Sequence, residues 1–155
     1  MRYPTDHSLA VTSFVRLVTL QSVFSEIDFT SEILEIMVST GKPYLRFSTY
    51  GLTGSTHIDF SRDSDLIESF CCELGAPEED SQPGARRMRC RYRLALMKPV
   101  CKPLALATRV SLRIEARGFL SMQFMVPADD AKVSFIEFFC VPDVEENEEE
   151  ALLVD

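Results

Sequence analysis

The sequence predicts an α+β fold of antiparallel sheets with two short helices on one side of them. Three patterns carry that prediction. The stretch Arg109–Phe139 contains three alternating runs in succession. A second alternating block spans residues 33–61. Each block is preceded by a strand-like run and then a short helical one. Period-two alternation broken by Gly, Pro and Asp is the signature of antiparallel hairpins.

Taken in order, residues 9–20 are rich in Val, Thr, Phe and Leu and read as a strand. Residues 21–28 read as a short helix, with Val23, Phe24 and Ile27 at helical spacing and Ser22 as its cap. At under three turns it depends on tertiary packing. Residues 33–39 place Leu34, Ile36 and Val38 on one face. Gly41-Lys42-Pro43 turns the chain, and residues 44–50 return with Leu45 and Phe47 inward. After Gly51-Leu52-Thr53-Gly54, residues 55–61 set Ile58 and Phe60 against His57 and Asp59. Residues 65–72 admit a helical turn or a strand, with strand favoured.

The segment 73–88, with two Pro, two Gly and many charges, reads as a mobile surface loop. Residues 91–97 resume alternation, with Tyr92, Leu94 and Leu96 on one face. A short helix is expected over 98–107, shortened or kinked by Pro103. The closing meander opposes Val110, Leu112 and Ile114 to Arg109, Ser111 and Arg113. It then opposes Leu120, Met122 and Phe124 to Ser121 and Gln123, and ends on Val133–Phe139. The chain thus reads as two similar halves in one domain.

The net charge of −8 divides unevenly. Residues 142–155 hold seven acids and no base, and read as a disordered acidic tail. Between Arg86 and Arg117 stand ten basic residues and one acid, Glu115. Such a stretch on a near-neutral body is what a polyanion-binding surface needs. The five cysteines are odd in number, lack a C-x-x-C spacing and have only two histidines for company. They read as reduced packing thiols of an intracellular protein rather than a zinc site. No run reaches the ~20 apolar residues of a spanning helix, and residues 9–20 lack the basic flank of a signal peptide.

Eight runs resemble the Rad1 family, a subunit of the nine-one-one DNA-damage checkpoint clamp and a relative of the sliding clamp PCNA. They are LQS (20–22), FSEIDFTSEILEI (24–36), KPYLRFSTYG (42–51), STHIDFSRDSDLIESF (55–70), RYRLALMKP (91–99), RVSLR (109–113), RGFLSMQFMV (117–126) and FIEFFCVPD (135–143). They are collinear over residues 19–143. The family's chain has two clamp-type domains, and this sequence resembles the second. The expected organisation is a non-family lead over 1–18, partly strand; a PCNA-like clamp domain over 19–141 with loop 73–88 inserted; and the acidic tail 142–155.

The resemblance implies a non-enzymatic subunit of a heterotrimeric nuclear ring that encircles double-stranded DNA without reading its sequence. It implies no cofactor and no membrane. Its implied partners are two other clamp subunits, a clamp loader, and checkpoint and repair proteins that use the ring as a platform. Lys98, Lys102 and Arg109 are expected to face the DNA, where lysine–phosphate contacts are independent of sequence and sensitive to salt. Ser55, Thr56, His57, Ile58, Asp59 and Phe60 are expected to form an edge strand that pairs with a neighbouring subunit. An Ile58→Pro change is expected to weaken that pairing.

Two other readings compete. One is a truncated, free-standing module that blocks a single clamp edge. The other is a metal-dependent 3′→5′ exonuclease using Asp59 and Asp63 with Glu115 or Glu137, whose spacing fits no two-metal motif. For the lysines, the arginine-rich run and the cysteines alike, the plain alternatives are solvated faces and packing.

Overall fold

Nine strands form two antiparallel sheets that enclose one hydrophobic core in the computed structural model, which describes residues 11–17, 21–61, 63–72 and 86–143. In chain order the elements are β1 (Val11–Leu17), α1 (Gln21–Glu26), β2 (Ile33–Ser39), β3 (Leu45–Gly51), β4 (Gly54–Phe60), β5 (Ile67–Cys72) and β6 (Arg87–Arg93). A 3₁₀ turn (Leu94–Val100) and α2 (Cys101–Leu106) follow, then β7 (Arg109–Glu115), β8 (Leu120–Pro127) and β9 (Val133–Cys140).

The two meanders form as their alternation requires. β2 pairs with β3 and β3 with β4; β7 pairs with β8 and β8 with β9. The leading strand of each half then crosses to the other half's sheet. β6 docks on β2, giving the order β4-β3-β2-β6, and β1 docks on β7, giving β5-β1-β7-β8-β9. The five-stranded sheet therefore draws on residues from both sides of the boundary expected at 18/19. Loop 73–88 ends earlier than expected, because Arg87 and Met88 already pair with Ser39 and Val38. Its residues 73–85 lie outside the described residues, as do 144–155 of the tail.

The helical region also departs from the alternation read over 91–97. The strand stops at Arg93, and Leu94, Met97 and Val100 are buried at intervals of three, the repeat of a 3₁₀ turn. Leu96, expected beside Leu94, is 47% exposed. Helical structure therefore begins four residues before Lys98. Pro103 lies in the first turn of α2, where its missing N–H costs no helical bond, and Leu104 still reaches the core.

The core cluster joins Val23, Phe24 and Ile27 of α1 and its exit to Leu34, Ile36 and Phe47 of one sheet and Leu112, Met122 and Phe124 of the other. Tyr92 is fully buried between the sheets and donates its hydroxyl to the Gly118 carbonyl at 2.7 Å. Burial pushes its phenol far above the ordinary range, so it stays protonated and keeps donating. Burial likewise raises the thiols of Cys90 and Cys140, which makes them poor nucleophiles. None of the five cysteines forms a disulfide, and Cys71 and Cys101 are exposed.

Candidate functional site: two sheet edges and a basic helical turn

Among the described residues, strand β4 ends the four-stranded sheet and pairs with β3 alone. The phase of its hydrogen bonds follows from the register. Ser39 N–H donates to the Tyr44 carbonyl, so even-numbered residues of β3 bond toward β2 and odd-numbered ones toward β4. Phe47 faces Ile58 and Thr49 faces Thr56 in the register, so Thr56, Ile58 and Phe60 spend their backbone groups on β3. Ser55, His57 and Asp59 direct theirs to the open side. The sequence-named edge thus divides in two, and a proline at Ile58 strikes the internal ladder rather than the free edge.

Side chains fix β4 from both faces. On the core face Phe60 is buried, with its ring edge-on to Phe47 at 6.0 Å. On the outer face a polar row crosses the sheet in register: Arg91, Glu35, Ser48 and His57. Arg91 Nε donates to Glu35 Oε2 at 3.0 Å, and its guanidinium lies 5.5 Å from the centre of the Tyr50 ring. His57 Nδ1 is 2.7 Å from Ser48 Oγ. One step along, Arg46 grips Asp59 through two nitrogens, at 2.5 and 2.9 Å. The hydrogen bond from Arg46 holds the Asp59 carboxyl below the usual carboxylate range. The hairpin closes on a two-residue loop, with Gly54 at φ +149°, a conformation that L side chains rarely adopt.

Strand β9 ends the five-stranded sheet and is chemically unlike β4. Val133, Phe135 and Phe139 stand on its outer face at 49%, 59% and 70% exposure. Phe139, Phe119 and Val141 border an apolar depression of about 310 Å³ beside Arg113 and Leu120. The sequence reading did not single out this strand as an edge. The signal was there: Phe135, Ile136, Phe138 and Phe139 place apolar residues on both faces of one strand.

Lys98 and Lys102 are both exposed, with Met97, Val100 and Leu104 buried beneath them. They lie on successive helical segments, Lys98 on the 3₁₀ turn and Lys102 on α2. Arg109 does not join them. It opens β7 on the face opposite buried Val110 and donates to Glu68 Oε1 at 2.7 Å. The carboxylates weighed for metal chemistry are not gathered either. Asp59 is held by Arg46 and Glu115 by Arg117, Glu137 accepts from Gln123, and Asp63 lies on an exposed turn. Among the described residues no group of three or more His, Cys, Asp or Glu is placed to hold a metal ion.

Two antiparallel sheets over one core, with short helices packed against it, define a clamp-type α+β domain. The particular family follows from direct comparison. The family model described as "Repair protein Rad1/Rec1/Rad17" matches residues 5–126, and the chain belongs to that family. It is 40% identical over 151 residues to the cell cycle checkpoint protein RAD1 of Homo sapiens, covering 94% of this chain and 49% of the relative. Its likeness to RAD1 of Mus musculus is 40% over 145 residues, covering 90% and 48%. The Caenorhabditis elegans RAD1 homolog mrt-2 is 28% identical over 141 residues, covering 91% and 48%. The chain spans about half the length of these curated relatives. No helix among the described residues is long and apolar enough to cross a membrane.

Proposed function

We propose that this chain contributes a clamp-type unit to a heterotrimeric, non-catalytic checkpoint clamp that encircles DNA in the nucleus and serves as a platform for checkpoint and repair proteins. The observation that supports the reading is that β4 and β9, two of the four strands that end the sheets among the described residues (β5 and β6 are the others), lie at the margins of different sheets. A strand added at either edge continues that sheet into a neighbour, which is how a ring closes without chemistry. Ser55, His57 and Asp59 supply the bonding groups at one end, and the apolar strip of β9 supplies buried area at the other.

Lys98 and Lys102 are the residues we assign to DNA phosphates. Their contacts are non-directional and leave base edges unread, which suits a ring that slides. Arg109, committed to Glu68, is left out of that assignment. The partners are two further clamp subunits and a loader that supplies the nucleotide-driven step.

The test is the mass of the complex formed with the other two clamp subunits, by size exclusion with light scattering. A one-to-one-to-one assembly supports the ring. A stable two-chain complex that excludes the third subunit replaces it with an edge-blocking module, and no association from a folded sample removes both. Duplex binding that falls as Lys98→Gln and Lys102→Gln are introduced, with a shallower salt dependence, supports the phosphate assignment.

A further inference from the structure

The described residues end at Asp143, and its contacts fix the point from which the rest of the sequence starts. Pro142 packs beside Gly118, whose φ of +90° and missing Cβ leave room for the proline and for Cys90 Sγ. The next residue has moved along β6. Asp143 donates its backbone N–H to the Arg91 carbonyl at 2.7 Å, and its carboxylate accepts from Arg93 Nε at 3.2 Å. The first acid of the acidic run is therefore already docked, and the chain is travelling from Cys90 toward the C-terminal end of β6.

Ahead of it lies an open depression of about 490 Å³ bordered by Asp143, Arg93, Ala95, Lys98, Ile33 and Phe29. Its acids are Asp143 itself and exposed Glu32. Lys98 is exposed and makes no ion pair among the described residues, and Lys102 follows one helical turn later. The sequence that follows Asp143 is Val144-Glu145-Glu146-Asn147-Glu148-Glu149-Glu150, five acids in seven residues with no base. Seven extended residues reach about 23 Å, several times the rise of one helical turn.

We propose that segment 144–150 docks in cis across Arg93, Lys98 and Lys102, as a built-in polyanion that competes with nucleic acid for the helical face. The docking stands on Asp143, charge complementarity and reach. Only its consequence, competition with DNA, rests on the assignment of Lys98 and Lys102 made above. Such a contact sets a threshold: DNA held by many phosphates displaces the segment, whereas weak, non-specific encounters do not.

Zero-length carbodiimide coupling of the full chain tests the docking directly, because it joins a lysine amine only to a carboxylate in contact with it. The expected product is an intramolecular bond from Lys98 or Lys102 to Glu145, Glu146 or Glu148, read by mass spectrometry on the monomer. It disappears at about 1 M salt, where the Debye length falls to about 3 Å. Lys132, at the opposite end of β9 from the chain's exit, is the internal control. Absence of the Lys98 and Lys102 products, or equal coupling at Lys132, overturns the proposal.

Competition is read separately, as duplex DNA affinity of the chain with all five glutamates changed to Gln. An increase of about threefold or more is expected, and it should vanish when Lys98→Gln and Lys102→Gln are also present. An equal increase in both backgrounds is general charge repulsion and overturns competition at this surface. Coupling products with no effect of the lysine changes on DNA binding leave the docking in place and remove the DNA assignment instead.

Discussion

Strands β4 and β9 occupy equivalent places, each ending a sheet, yet they are built oppositely. β4 is polar on its outer face, stapled by Arg46–Asp59 and by the row from Arg91 to His57, and anchored inward by Phe60. β9 displays Val133, Phe135 and Phe139 to solvent. A polar edge with satisfied side chains selects its partner by backbone pairing and resists adventitious addition. An apolar edge gains from almost any cover and is an aggregation hazard until covered. One end of the molecule is therefore built for selectivity and the other for adhesion, and the same residue type should behave differently in each.

The largest expected effect compares two phenylalanines. Phe60→Ala on β4 empties a core position against Phe47 and should cost about 3–5 kcal/mol in chemical unfolding. Phe139→Ala on β9, at 70% exposure, should change stability by no more than about 0.5 kcal/mol. The double change Phe135→Glu with Phe139→Glu should abolish association through that edge while the monomer stays folded, as read by light scattering and circular dichroism. Comparable stability losses for Phe60→Ala and Phe139→Ala would mean that β9 is not the free, adhesive edge described.

Proline resolves the two sides of β4. Ile58→Pro removes a donor that the register assigns to the β3 ladder and should destabilise the fold by about 3 kcal/mol. His57→Pro removes an outward donor. It should leave the ladder intact and weaken partner association by about 1 kcal/mol, roughly fivefold in Kd. The reverse pattern, with association lost only in Ile58→Pro, would place the edge on the wrong phase.

The contrast between local and long-range order also marks what was legible in the sequence. Both meanders and their inward residues were readable, because Leu45, Phe47, Val110, Leu112 and Phe124 alternate within single hairpins. The exchange of β1 and β6 between halves was not, since no local pattern records which distant strand completes a sheet. Leu94 fits a strand in the sequence because Tyr92, Leu94 and Leu96 satisfy period two as well as Leu94, Met97 and Val100 satisfy period three. Tertiary packing decided between them, burying Met97 and leaving Leu96 out. At the candidate site the edge residues were legible as a group, but their division into inward and outward backbone was not. That division depends on hydrogen-bond phase, to which side-chain type is blind. The resemblance groups Arg109 with the lysines, whereas the fold places it at the start of β7, opposite buried Val110 and bonded to Glu68.

The smallest expected effect tests how β4 keeps its selectivity. Asp59 has its folded-state pKa lowered by the hydrogen bond from Arg46, so the pair adds stability only while Asp59 is ionised. The sign follows from linkage: the contribution is fully present above the unfolded carboxyl pKa of about 3.9 and is lost as pH falls through the lower folded value. Both side chains are partly solvated, so solvent screening keeps the contribution below about 1 kcal/mol. Wild type and Asp59→Asn should therefore differ slightly in urea midpoint at pH 7 and converge as the pH is taken below 4. Should the gap persist unchanged through acid, the staple is steric rather than ionic. The edge would then owe its resistance to adventitious strands to the shape of the Arg46 side chain rather than to its charge.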